Sequence, residues 1–193
     1  MFRLGVIPGA TPGKWVDAWK GRMPHVDIEL VPIAVAGQRA AVDNLDAALV
    51  RLPLDDRGDL HVIPLYDEIP VVVASVDSFL MATDRLTADD LAGQVLITPG
   101  DDVLGPLDLH TQAPSFPTIA STEDAVATVA SGVGILVVPM SLARLHHRKD
   151  VDYRTLLDGR TSTVALAWPR AATTPDVETF VGIVRGRTAN SSR

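Results

Sequence analysis

Arg51 follows the apolar run Leu45 to Val50, so it stands at the carboxyl end of a predicted strand. A guanidinium in that position faces a binding crevice and can take a carboxylate through two parallel N–H bonds. The same residue also fits a purely structural role, as a loop arginine paired with Asp55, Asp56 or Asp59. A second candidate for anion chemistry is Gly9-Ala10-Thr11-Pro12-Gly13-Lys14-Trp15. It is not a phosphate loop, because Pro8 stands where a glycine is needed and Trp15 where the magnesium-binding hydroxyl belongs. What it retains is a glycine-rich turn running into a helix, whose first N–H groups and dipole favour negative charge. The alternative is a plain strand-to-helix turn capped by Thr11.

No residue set points to covalent, acid–base or metal chemistry. His25, His61, His110, His146 and His147 include no pair at helical ligand spacing, and His146-His147 reads as a solvated helix end. The acid pairs Asp55-Asp56, Asp89-Asp90 and Asp101-Asp102 fall in loops or at a helix start, where Asp is expected. There is no G-x-S-x-G, H-E-x-x-H or G-x-G-x-x-G motif. With no cysteine in the chain, thiol nucleophiles, disulfides and thiolate-held metals are excluded. Neither a metal nor a cofactor is expected.

The elements that must position these residues alternate between strand and helix. Leu4 to Ile7 reads as a strand, Lys14 to Arg22 as a helix with Trp15 and Trp19 one turn apart, and Val26 to Ile33 as a strand. In that second strand Val26, Ile28 and Leu30 alternate with Asp27 and Glu29, the pattern of a sheet edge. A short helix over Gly37 to Val42 leads to the strand Leu45 to Leu52. Three strands joined by two helices within about fifty residues favour right-handed crossovers and a parallel sheet. Leu60 to Tyr66 and Ile69 to Ala74 are further strands. The pattern then restarts. Thr87 to Asp90 resembles a capping box, Val95 to Thr98 a strand, and Glu123 to Ser131 a helix capped by Ser121 or Thr122 and ended by Gly132. Strands follow at Val133 to Val138, Val151 to Leu156 and Val164 to Trp168, with a short helix at Ser141 to Leu145. Thr174-Pro175 opens a last helix, in which Val177, Phe180, Val181 and Val184 form one apolar face. Thr188 to Arg193 is polar and reads as a frayed end.

Composition agrees with a folded α/β protein: 193 residues, 47% hydrophobic and 21% charged. The net charge of −7, with scattered cations, argues against a nucleic-acid surface on this chain. The longest apolar stretch, Val133 to Met140, is far short of the ~20 residues of a spanning helix. The opening residues do not read as a secretory signal, so a cytoplasmic location is expected.

The stretch from Leu60 through Tyr66-Asp67-Glu68-Ile69-Pro70 to Val73 resembles the effector-binding domain of LysR-type transcriptional regulators. Asp89-Asp90-Leu91-Ala92-Gly93 looks like that family's "DLAG". Thr122 to Ala125, Ala130 to Ile135 and Val138-Pro139 are similar to its "aGlGi…lP" segment, and Leu45-Asp46-Ala47-Ala48-Leu49 to its "LD.ai" strand. These stretches occur in the family's order over nearly the whole chain. The resemblance implies the type 2 periplasmic-binding-protein fold: two small Rossmann-like lobes, joined by two crossover strands, with an interlobe cleft. The expected lobes are 1–74 with 169–193, and 75–168.

For function, the resemblance implies a sensor without catalysis, in which a small anionic metabolite enters the cleft and shifts the arrangement of a homodimer. DNA is reached only through a helix-turn-helix that this stretch does not contain. Carried over residue by residue, the ligand contacts fall on Ala10, Thr11 and Pro12, on Arg51, on Thr98 and Pro99, and on Ser121. The strand Val26 to Ile33 and the helix bearing Trp15 and Trp19 correspond to the family's dimer surface, although core packing also accounts for at least one Trp. Two departures affect the pocket walls: a helix about one turn short between Val35 and Leu45, and an abbreviated segment from Asp101 to Pro117. The competing expectation is a stand-alone solute-binding protein or an enzyme on the same fold.

Overall fold

The computed structural model describes residues 1–186, and the polar stretch Thr188 to Arg193 lies outside them. The chain divides into two units, one formed by Met1–Tyr66 together with the chain from Thr163 onward, the other by Asp67–Ser162.

The first unit is built on a five-stranded sheet. In chain order its elements are β1 (Phe2–Val6), α1 (Gly13–Arg22), β2 (Ile28–Pro32), α2 (Gln38–Val42), β3 (Ala47–Arg51), β4 (Leu60–Glu68) and, after the second unit, β9 (Ser162–Pro169) and α5 (Pro175–Val184). The strand order is β2-β1-β3-β9-β4. β1 pairs in parallel with both β2 and β3, as the strand–helix alternation requires, while β9 returns antiparallel to β3. All five residues of β3 are buried, because both faces of the sheet are covered. Ala47 and Leu49 face a core containing Phe2, Trp19 and Phe180, whereas Ala48 and Val50 face one containing Val42, Leu54 and Leu60.

Phe2, Trp19 and Phe180 pack with ring centroids 4.6 to 5.9 Å apart, and the Trp19 indole N–H donates to the Val26 carbonyl at 2.8 Å. Trp19 is therefore core and is withdrawn from any dimer surface; Trp15 is half-buried against the same cluster. Gly5 has no room for a side chain, since a Cβ there would meet Leu45 Cδ1 at 2.7 Å and Ala48 Cβ at 2.9 Å. β2 and β4 are the edge strands, and Leu30 of β2 is 45% exposed. In α5 the Thr174 hydroxyl caps the Val177 N–H as expected. The buried residues are Val177, Phe180 and Ile183, so the inward stripe is turned from Val184 toward Ile183.

The second unit contains β5 (Pro70–Ser75), β6 (Arg85–Leu86), α3 (Thr122–Ala130), β7 (Leu136–Pro139), α4 (Met140–Leu145) and β8 (Val151–Leu156). Its sheet has the order β6-β8-β5-β7. Here β5 is central: Val71 and Val73 pack toward α3, and Val72 and Ala74 toward Leu80, Leu86 and Leu91. Because β5 is flanked by β7 and β8, and β9 pairs with β3, the crossings fall earlier than the sequence suggests. They lie before β5 rather than after it, and at the start of β9 rather than at its end.

Val95 to Thr98 is not a regular strand. It makes single bridges, Val95 to Gln112 and Leu96 to Ile135, because its neighbour on one side is itself only a brief extended stretch within Asp101 to Pro117. The chain still runs tightly here, where a Cβ on Gly134 would sit 2.5 Å from the Val95 carbonyl oxygen. Only half of the box expected at Thr87 forms: its N–H and hydroxyl both donate to Asp90 Oδ2 at 2.7 and 2.8 Å, but the 3-10 turn Asp89–Leu91 has Ala88 as its N-cap and no side-chain cap. The backbone bond, aided by the hydroxyl, holds the Asp90 carboxyl below the ordinary carboxylate range.

Candidate functional site

In the first unit the chain goes from β1 outward to β2 and then crosses back to β3 on the other side of β1. The order reverses between β1 and β3, and ligands of open α/β sheets bind beyond the carboxyl ends of strands at such a reversal. Arg51 is the last residue of β3, and Pro8 lies just past the end of β1. Arg51 Nη2 donates to the Pro8 carbonyl at 3.1 Å. The residue is only 2% exposed, so this bond ties the loop after β1 to the end of β3.

The loop itself turns at Gly9, whose φ of 83° suits glycine, and closes with the Ala10 N–H on the Ile7 carbonyl. The N-cap of α1 is Pro12, and no side chain caps it. The Thr11 cap is thus corrected: Thr11 is exposed, one residue too early, and a proline at the N-cap offers no oxygen side chain. An α1 N-terminus without a side-chain acceptor keeps its dipole available to an outside anion. Ala10, Thr11, Pro12 and Arg51 all belong to this one end of the sheet.

The loop after β3 is gripped by Arg39 of α2. Its Nε donates to the Asp56 carbonyl at 2.7 Å, and its Nη2 reaches both Asp59 oxygens at 2.8 and 3.0 Å. Asp59, one of the structural partners the sequence offers to Arg51, is thus held by Arg39. Next to Arg39 stands Gln38, buried, whose side-chain amide bonds the Arg51 backbone twice: Arg51 N–H to Oε1 at 2.8 Å and Nε2 to the Arg51 carbonyl at 2.9 Å. Sequence reasoning did not single out Gln38. The available signal was an amide residue inside a short helix directly before the buried strand.

In the second unit Thr98, Pro99 and Ser121 come together through their neighbours. The Gly100 N–H donates to the Ile119 carbonyl at 2.8 Å, and Thr122 Oγ1 donates to Asp101 Oδ1 at 2.8 Å. The approach is close, for a Cβ on Gly100 would lie 2.9 Å from the Ala120 carbonyl oxygen. Thr98 is exposed and Pro99 buried. Ser121 Oγ accepts the Asp124 N–H at 3.1 Å and donates to Asp124 Oδ2 at 2.7 Å, so it is the N-cap of α3 and its hydroxyl is occupied. With Glu123, Asp124 and Asp101 around it, this helix start already carries the negative charge its dipole favours. Thr98 also lines a cavity of about 470 Å³ walled by Leu96, Ile97, Phe116, Pro117 and Ile119. Among the described residues, no three His, Asp or Glu side chains are grouped to hold a metal ion.

Two α/β units linked through β4 and β9, with a strand-order reversal in the first, define a module of the type 2 periplasmic-binding-protein class. Residues 1–189 match the LysR substrate binding domain family, and the chain belongs to it. It is 26% identical to the Hca operon transcriptional activator HcaR of Escherichia coli (strain K12), over 97% of this chain and 68% of HcaR. It is 28% identical to the HTH-type transcriptional regulator CatR of Pseudomonas putida, over 73% of this chain and 51% of CatR. The chain thus spans about half to two thirds of these relatives. Among solved structures, the oxidized form of OxyR superposes with a TM-score of 0.74 at 21% identity, covering 100% of this chain and 97% of OxyR's. The BenM effector-binding domain with its effector benzoate gives 0.73 at 19%, covering 97% and 94%.

Removing the α3 cap tests the role the geometry gives Ser121. Ser121→Ala is expected to destabilise the chain by about 1 kcal/mol in urea denaturation. An unchanged midpoint would show that the hydroxyl does not serve the helix.

Proposed function

We propose that this chain is the effector-sensing module of a LysR-type transcriptional regulator and that it takes a small organic anion. Family membership supplies the module, and the placement of Arg51 at the β1/β3 reversal is the observation that carries the ligand class. A guanidinium at that strand end matches a carboxylate in both charge and geometry, and its shielding from water strengthens the attraction. The α1 N-terminus, without a side-chain acceptor, adds a second attraction for negative charge from the same sheet end. In this reading Thr11 offers its backbone N–H and hydroxyl to the anion, Ala10, whose N–H is held by Ile7, and Pro12, which has none, line the approach, and Arg51 is its main charge partner. Thr98 and Pro99 are the proposed contacts in the second unit, where Thr98 borders a cavity lined both by apolar residues such as Phe116 and Ile119 and by Thr111, Gln112 and Thr118. Ser121 contributes through its backbone and by shaping α3.

The module works by binding, without turnover, and in the cytoplasm. Its relatives are transcriptional regulators, and among the described residues no helix is long and apolar enough to cross a membrane. DNA is contacted by a helix-turn-helix outside this stretch, in keeping with the length of the relatives. The homodimer uses the β2 edge, where Leu30 is exposed, and the outer side of α1.

The ligand class is tested by thermal shift with benzoate, succinate, glutamate and phosphate on the native chain and on Arg51→Lys. A hundredfold excess over Kd adds about 2.7 kcal/mol of stability, a shift of several degrees at this chain length. A carboxylate shift in the native chain that falls at least tenfold in apparent affinity in Arg51→Lys is the expected outcome. A shift unchanged by the substitution would remove Arg51 from the site. For the dimer, sedimentation of the native chain is expected to show association that Leu30→Asp abolishes, and a monomer at all concentrations would reject the β2 surface.

A further inference from the structure

The ladder between β1 and β3 stops at Val6 and Leu49, yet β3 continues to Arg51. On its other side β3 keeps its partner to the end, with Arg51 opposite Val164 and the Leu52 N–H on the Thr163 carbonyl. The N–H and C=O of Arg51 point toward the side that β1 has left. A buried backbone pair without a partner costs free energy comparable to a lost hydrogen bond for each group. Both groups are taken by one side chain, Gln38, 7% exposed, at 2.8 and 2.9 Å.

We infer that Gln38 is the positioning residue of the anion site: its amide stands in for the missing β1 neighbour and fixes the direction in which the Arg51 side chain leaves β3. This rests on the reading of Arg51 as the anion's partner. Only a side-chain amide can both donate and accept in this way without carrying charge. Asn is one methylene shorter, and a carboxylate lacks the donor. The short α2 makes the arrangement possible, because Gln38 is its first residue, entered from the 3-10 turn Val35–Gly37. The following residue, Arg39, holds the loop beyond Arg51 through Asp56 and Asp59. One short helix thus braces the backbone of Arg51 and the loop after it, while Pro8 receives the guanidinium.

The test is a set of titrations with benzoate and succinate on the native chain, Gln38→Met, Arg51→Lys and the double variant, with amide hydrogen exchange at Arg51. Met keeps length and apolar packing but neither hydrogen bond. The expected result is that Gln38→Met weakens the probe about tenfold and speeds exchange of the Arg51 amide. The same substitution is expected to weaken binding less than twofold when Arg51 is already Lys, because the two act as a unit. A residue with a merely structural role would lower the melting midpoint and leave Kd unchanged, or would weaken binding equally in both backgrounds; either result overturns the inference. If Arg51→Lys weakens the probe and Gln38→Met does not, the inference fails and the anion reading stands. If Arg51→Lys binds like the native chain, or if neither probe binds the native chain, the anion reading fails and the inference falls with it.

Discussion

The first unit depends on β3, a strand buried on both faces and paired along both edges. Its alternating side chains feed two cores, with Ala47 and Leu49 on one side and Ala48 and Val50 on the other. One edge is a parallel ladder to β1 and the other an antiparallel ladder to β9, so the strand is fixed before its last residue is reached. A buried guanidinium is costly unless its hydrogen bonds hold, and a strand fixed along both edges keeps the bond from Arg51 Nη2 to the Pro8 carbonyl in place. Gln38 extends that constraint past the point where β1 ends. Charge is thereby held at the carboxyl end of the sheet, where the strand order reverses.

The second unit differs in the charge around α3. Its helix start at α3 is capped by Ser121 and crowded by Asp124, Glu123 and Asp101. The cavity next to Thr98 is lined by Phe116, Pro117, Ile119 and Leu96. The first unit thus holds a buried cation at its sheet end, and the second a cavity of mixed polar and apolar lining near an acidic helix start.

Much of the fold was legible where local chemistry and tertiary need coincide. Ser121 and Thr174 are the caps their types predict, β8 occupies Val151–Leu156, and the alternation of Val26 to Leu30 marks an edge strand. The parallel core followed from strand and helix order alone. Features decided by partners distant in sequence were not legible. The stretch Val71 to Val73 is apolar throughout and shows no alternation, so nothing local reveals that it is the centre of the second sheet. Val95 to Thr98 has strand propensity but only isolated bridges. For the candidate site, the place of Arg51 at a strand end was legible from the apolar run before it. Gln38 was missed because a glutamine beside an arginine in a short helix looks solvated until β1 is seen to stop at Val6.

The most direct measurement of the central claim is heteronuclear NMR of the native chain, with backbone amide and arginine side-chain signals followed while benzoate, succinate and phosphate are titrated in. The account predicts saturable shifts concentrated at Gly9 to Lys14, at the Arg51 backbone and at its guanidinium. Saturable shifts that leave the Arg51 signals unmoved, with the response centred on other residues, would contradict it.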